Sequence, residues 1–266
     1  MYDLAVVGGG PAGLAAAIHA RARDKSVLLV SNEPTASPLC KAARVDNYPG
    51  MPQISGRTMV ETMVEQAKEL GAELRLGRVL NIMPMNGASY LGIGSDMEQA
   101  KAVVLATGVV RTAKLPGEAE LLGRGVSYCA TCDGMLYRGQ PIVVAGNAPN
   151  FREEVEFLQK IGCQVTEVGL GGLKILGTEA VEAVEYKGEY IPCAGVFLLR
   201  TAVAPTDLLP GLELEAGHIK VDRFMNTNIA GVYAAGDCTG APLQIAKAVG
   251  EGQMAAHTAI TQLDHI

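Results

Sequence analysis

Tyr128-Cys129-Ala130-Thr131-Cys132-Asp133-Gly134 is the segment of this sequence with the plainest chemistry. Two cysteines separated by two residues bring their sulfurs close enough to make and break a disulfide without large backbone movement. The same spacing can lower one thiol's pKa toward neutrality. Asp133, directly after the second cysteine, is a candidate acid/base, because thiol exchange needs a proton taken up and released. Half of a zinc site is the competing chemistry. It would need a second ligand pair, and Cys40, Cys163, Cys193 and Cys238 supply no second C-x-x-C, while the histidines lack zinc spacing. No metal site is expected, and the other four cysteines read as small core residues.

A second constellation is Gly8-Gly9-Gly10-Pro11-Ala12-Gly13, a G-x-G-x-x-G between a buried strand and an Ala-rich helix. Gly8 permits a tight turn, Gly10 lets backbone approach a pyrophosphate, and Gly13 lets helix and strand pack closely. Phosphates would lie at the helix start, beside Pro11 and Ala12, where free N–H groups favour negative charge. Glu33, 20 residues after Gly13 and just past the second strand, can accept hydrogen bonds from a ribose.

These residues need strands and helices to hold them. Strands are expected at 3–7, 27–30, 102–106, 142–145, 163–168, 219–221 and 232–235. Short strands fill 72–94, with turns at Asn86-Gly87 and Gly92, and Lys187-Gly188 turns a later hairpin. Helices are expected to about Ala22, from Ser55 to about Leu70, over about 150–161, and from about 242. Two strand-helix-strand patterns imply an α/β chain of two Rossmann-like, three-layer nucleotide-binding domains. Boundaries placed by motif give residues 1–110 and 201–266 to the first domain. Residues 111–200 form the second, inserted in the first and shortened.

The 266 residues carry a net charge of -6, which argues against a nucleic-acid partner. No signal segment and no run of about 20 apolar residues is visible, so a cytoplasmic location and no membrane partner are expected.

Ala106-Thr107-Gly108 and Gly231-Val-Tyr-Ala-Ala-Gly236-Asp237 resemble the remaining fingerprints of the FAD-binding disulfide reductases. The resemblance implies that Thr107 and Gly108 line the cofactor site and that Asp237 holds the ribityl and pyrophosphate part of FAD. The helix opening after Gln244, with Ile245 and Ala246, would then face the flavin ring, where its dipole favours a reduced, anionic flavin. Over most of its length the chain resembles the low-molecular-weight thioredoxin reductases. Cys129-Ala-Thr-Cys132-Asp133-Gly134 is their redox motif, and Arg44-Val45-Asp46-Asn47-Tyr48-Pro49-Gly50 looks like their flavin-side segment, with Asn47 at the contacting position. The resemblance implies that Cys132 exchanges electrons with flavin, Cys129 attacks a thioredoxin-like disulfide, and Asp133 moves the proton. It also implies a homodimer.

One part of the pattern is missing. Where the family's second domain carries a glycine motif for NADPH, this sequence has Gly146-Asn147-Ala148-Pro149-Asn150-Phe151. Ala148 puts a Cβ where a pyrophosphate needs bare backbone, and Phe151 puts a ring where the helix must pack closely. The family's His-Arg-Arg segment is replaced by Val168-Gly169-Leu170-Gly171-Gly172. These departures argue against NADPH. Among relatives without a nicotinamide site, the resemblance points to electrons from ferredoxin, with Lys41 and Arg44 as docking candidates. A diflavin enzyme with a second FAD, an NADPH-dependent thioredoxin reductase, an FAD electron carrier without dithiol turnover and a zinc-stabilised nucleotide-binding module remain the alternatives.

Overall fold

A computed structural model describes residues 1–109, 114–148, 151–200 and 204–265, apart from the side chain of Ala36. In chain order the elements begin with β1 (Tyr2–Val7), α1 (Pro11–Arg21), β2 (Val27–Ser31), α2 (Gly56–Glu69), β3 (Glu73–Leu76), β4 (Val79–Met85), β5 (Ala88–Ile93) and β6 (Asp96–Leu105). Next come α3 (Glu118–Leu121), β7 (Val126–Ser127), α4 (Ala130–Asp133), β8 (Pro141–Gly146), α5 (Phe151–Lys160) and β9 (Gln164–Val168). They are followed by β10 (Leu173–Gly177), β11 (Val181–Tyr186), β12 (Glu189–Pro192) and β13 (Gly195–Leu199). The last are α6 (Pro205–Leu208), β14 (Leu214–Glu215), β15 (His218–Ile219), β16 (Val232–Ala234) and α7 (Ile245–Asp264). The chain divides into two compact units, Met1–Val110 with Ala204–Ile266, and Arg111–Val203. The boundaries expected from sequence, 110/111 and 200/201, involve residues outside the described ones, as do Pro149 and Asn150.

In the first unit β3, β2, β1, β6 and β16 run parallel in that order, and β5 and β4 continue antiparallel from the first half of β6. The strand order reverses between β1 and β6, so a crevice opens beyond their carboxyl ends. Small residues build the helix layer. Ala12, Ala15, Ala16, Ala17 and Ala20 of α1 are buried, as are Ala248, Gly252, Ala255, Ala256 and Ala259 of α7. A Cβ on Gly252 would stand 2.0 Å from the Ala12 carbonyl oxygen, so the two helices meet almost backbone to backbone. Ser55 caps α2 by accepting from Thr58 N at 3.0 Å, as its position in the sequence predicts.

In the second unit β7, β13, β8 and β9 form a parallel sheet, and β10, β11 and β12 form a small antiparallel one. Lys187 and Gly188 turn the β11–β12 hairpin with φ of 52° and 85°, the left-handed pair that a two-residue hairpin turn needs.

Three expectations are corrected. The turn expected at Gly92 lies two residues on, at Gly94 (φ 58°), because Gly92 sits inside β5 against Asn81. The strand at 102–106 is the end of the ten-residue β6, whose first half is half-exposed and so lacks a continuous apolar run. The strand expected at 219–221 is a two-residue pairing, His218–Ile219 with Leu214–Glu215. Among the described residues no helix is long and apolar enough to cross a membrane.

Candidate functional site

The first unit holds a cradle at the β1/β6 crevice. A Cβ on Gly8 would stand 2.2 Å from the Ala106 oxygen, and one on Gly13 would stand 1.8 Å from the Gly8 oxygen. Backbone therefore packs on backbone on that side of the turn, and no side chain fits. Gly10 differs: a Cβ there meets nothing within 4 Å, so its face of the turn is open. Gly10 is also the N-cap of α1, with Pro11 in the first turn and no side chain capping the helix. A helix start with uncapped N–H groups facing open space fits a pyrophosphate. Glu33 follows β2 as an exposed carboxylate.

Gly236 (φ 87°) brings the second glycine turn against the first, since a Cβ on it would stand 2.8 Å from the Ala12 Cβ. Burial pushes the Asp237 carboxyl up; Lys247 opposes this shift and Glu251 reinforces it. Gln244 caps α7 without a side-chain bond to the helix, and Ile245 and Ala246 open its first turn. The Gln244 amide instead accepts from Asn47 Nδ2 at 2.8 Å. Two residues singled out from distant segments, 197 positions apart, thus touch. Thr107 and Gly108 leave the end of β6 beside Gly8. The residues present fit an FAD held across α1, the Gly236–Asp237 turn and the start of α7.

Lys247 and Glu251 complete this cradle and carried no signal in the sequence beyond an i, i+4 spacing. Lys247 Nζ donates to Gly236 O (3.0 Å), Gly240 O (2.7 Å) and Thr239 Oγ1 (3.0 Å). Glu251 Oε2 accepts from Gly236 N (2.9 Å) and Thr239 Oγ1 (2.8 Å), and lies 3.2 Å from Lys247 Nζ. Both polar groups of the Gly236 backbone are therefore fixed to one helix face. Cys238 is buried between Leu105 and Ala235 carbonyls, and burial pushes its thiol up to about 11, which removes it from thiolate chemistry at neutral pH.

In the second unit Cys129 and Cys132 are joined as a disulfide, with their Cα atoms 5.3 Å apart. Cys129 caps the single turn of α4, its sulfur accepting from Cys132 N at 3.1 Å. Cys129 is buried and Cys132 exposed. If Cys129 is the sulfur that attacks a partner, as the resemblance implies, it must become accessible once the disulfide opens. Asp133 is half-buried and accepts from Ser127 Oγ at 2.6 Å. On the other side of Ser127, Tyr128 donates to Glu118 Oε1 at 2.9 Å. Arg200 forks onto the same carboxylate at 2.6 and 2.9 Å, and Leu115 N donates to it at 2.7 Å. Ser127, Glu118 and Arg200 were not legible in the sequence: Glu118 and Arg200 lie 82 residues apart, and a serine six residues before Asp133 matches no motif.

Among the described residues, the start of the turn after β8 in the second unit has its N–H groups already bonded. The Asn147 and Ala148 N–H groups, which open the turn after β8, both donate to Leu199 O, at 2.9 and 3.0 Å. Ala148 is buried in the core with Val155 and Leu158, and Phe151 packs against that cluster. Glu153 and Glu154 bring negative charge to the first turn of α5, where a pyrophosphate would lie. Glu167, near the end of β9, pairs with Arg152 at 2.8 Å rather than facing a ribose. At the flavin-side segment, Arg44 pairs with Asp46 at 2.7 Å, which weakens it as a docking cation, while Lys41 is exposed.

Comparison with known proteins agrees with this geometry. The model of the pyridine nucleotide-disulphide oxidoreductase family matches residues 2–172 and 173–252. A thioredoxin reductase of Listeria monocytogenes is 30% identical over 97% of this chain and 93% of its own length. A solved ferredoxin-flavin thioredoxin reductase from Clostridium acetobutylicum superposes with a TM-score of 0.91 at 34% identity, covering 99% of this chain and 98% of the other. A thioredoxin reductase from Gloeobacter violaceus gives 0.83 at 32% identity, covering 99% and 94%.

Proposed function

The chain belongs to the pyridine nucleotide-disulphide oxidoreductase family and is a flavin-dependent, thioredoxin-reductase-like enzyme, and from that premise we propose that its electron donor is not a nicotinamide. In this reading reduced ferredoxin supplies the electrons, FAD and the Cys129/Cys132 pair relay them, and a thioredoxin-like protein disulfide accepts them. The enzyme works as a cytoplasmic homodimer.

The observation that carries the reading is the start of the turn after β8. Its Asn147 and Ala148 N–H groups are bound to Leu199 O, and Ala148 is core. Glu153 and Glu154 at the start of α5 add repulsion toward a phosphate. The same residues argue against a second FAD at that turn. The C. acetobutylicum relative, by its name a ferredoxin-flavin enzyme, lends further support.

FAD, when bound, accepts electrons singly and passes them on in pairs, which suits a one-electron donor and a two-electron dithiol. The protein's share is positional. The Gly8–Gly13 turn and α1 would hold the pyrophosphate, and Asp237, in the turn that Lys247 and Glu251 brace, would hold the ribityl chain. Reduction of the Cys129–Cys132 disulfide breaks the S–S bond and leaves two thiols. Asp133 gives or takes the proton at the departing sulfur. Cys129 then attacks the substrate disulfide, and Cys132 closes the bond that releases it.

Anaerobic flavin absorbance tests the reading. NADPH should leave the oxidised flavin spectrum unchanged, reduced ferredoxin should bleach it, and extraction should yield about one flavin per chain. Rapid bleaching by NADPH alone would overturn the proposal. Cys129→Ser should abolish thioredoxin reduction while leaving the flavin bound and reducible.

A further inference from the structure

Ser127 ends β7 with its side chain buried, and its Oγ has three polar neighbours. It accepts from Cys129 N at 3.0 Å, lies 2.6 Å from Asp133 Oδ2, and lies 3.2 Å from Cys129 O. A hydroxyl has one hydrogen to give and two lone pairs to offer. With Asp133 ionised, that hydrogen goes to Oδ2, in keeping with a short, charge-assisted bond. With Asp133 protonated, the carboxyl O–H can donate to Ser127 Oγ, and the serine hydrogen can turn to Cys129 O. Each polar group keeps a partner in both states.

We propose that Ser127 is the positioning residue for proton transfer at the dithiol. It holds Asp133 through its whole cycle by moving one hydrogen between Asp133 Oδ2 and the Cys129 carbonyl. The inference rests on the reading of Asp133 as the acid/base. In the step served, a thiolate of an incoming dithiol attacks one sulfur as the S–S bond breaks, and the dithiol ends as its own disulfide. One sulfur leaves as a thiolate and takes the proton from Asp133, which water then reprotonates. Three further titratable groups lie on the elements around Asp133. Tyr137 is one; burial, and then Asp133 itself, push its phenol up. Cys163, just past α5, donates to Gly134 O at 3.6 Å. α5 packs against α4 and carries the half-buried Glu154.

The test is the rate at which dithiothreitol reduces the disulfide of the holoprotein between pH 5 and 9, in Ser127→Ala, Ser127→Thr, Asp133→Asn and wild type. The ratio to wild type at each pH cancels the ionisation of dithiothreitol. Ser127→Ala should be slowed about tenfold, with a ratio that changes with pH. Ser127→Thr, which keeps the hydroxyl, should restore most of the rate. Flavin content and thermal midpoint should match wild type in both. If the alanine variant fails to fold, Ser127→Cys takes its place, with a thiol as the weaker donor. A wild-type rate in Ser127→Ala, a pH-independent ratio, or no rescue by threonine overturns the proposal. A wild-type rate in Asp133→Asn would instead remove the acid/base premise.

Discussion

Replacing Arg200 by Met should destabilise the second unit by about 3–5 kcal/mol at pH 8. The magnitude follows from the Glu118 site. Arg200 makes two charge-assisted bonds, at 2.6 and 2.9 Å, to a carboxylate that is 1% exposed. Bonds of this kind contribute about 1.5–3 kcal/mol each. Their loss leaves a buried charge to the neutral donors Leu115 N and Tyr128 Oη. The effect depends on pH. In the intact protein burial pushes Glu118 up, but Arg200, Leu115 N and Tyr128 outweigh it and hold the carboxyl below the usual range. Its contribution is therefore complete above the ordinary carboxylate range and is lost as pH falls through the lowered value. In Arg200→Met burial wins, the carboxyl rises, and protonation relieves the strain as pH falls. The difference between variant and wild type should thus shrink from pH 8 to pH 5. The sequence has no Trp, so far-UV circular dichroism of urea unfolding is the assay. A Glu118→Leu/Arg200→Met double variant should recover all but about 1–2 kcal/mol, the remainder reflecting the carboxylate acceptor that Tyr128 Oη and Leu115 N lose. A cost below about 1 kcal/mol at pH 8, or one that grows as pH falls, would refute the reasoning.

Gly13→Ala places a Cβ 1.8 Å from a backbone oxygen that cannot yield, so purified protein should retain under about a tenth of its FAD, read by absorbance. Lys247→Met should weaken FAD binding about tenfold by fluorescence titration, equivalent to about 1.4 kcal/mol, with Lys247→Arg closer to wild type; equal affinity would remove the bracing role. Asp3 is pushed up by burial, but bonds from Lys101 and Ser26 outweigh this and bring it down to about 2. Its stabilising contribution is complete above the ordinary aspartate value and disappears as pH falls through about 2, so Asp3→Asn should flatten acid unfolding followed by circular dichroism.

The parts of the fold read correctly from sequence are those whose rules are local. The Gly8–Gly13 motif, the Ser55 cap and the Lys187-Gly188 turn each state their geometry within a few residues. So does the C-x-x-C. Elements whose identity depends on distant neighbours were missed. β13 is a short, wholly buried run, and β10 follows a glycine-rich stretch whose apolar residues fit no single period. The first half of β6 has mixed exposure because only the second half has strands on both sides. At the site, Asn47 and Gln244 stand out through resemblance, and a hydrogen bond joins them. Glu118 with Arg200, and Lys247 with the Gly236–Gly240 turn, were not found. An ion pair across 82 residues leaves no spacing to read.

The interrupted first unit bears on how the protein is made. β16 must pair with β6, and α7 must settle on α1, across more than a hundred intervening residues. During synthesis β1 to β6 emerge with one flank of β6 and the outer face of α1 unmatched. Residues 111–203 can meanwhile close their own sheet, since β7, β8, β9 and β13 all lie within them. Long-range closure of this kind is slow, and exposed apolar surface invites aggregation until it is complete. Asp237 and the start of α7 are translated only after the whole of residues 111–203. The cofactor cradle therefore cannot exist on the nascent chain before they appear, by which point every strand of the second unit has already been made.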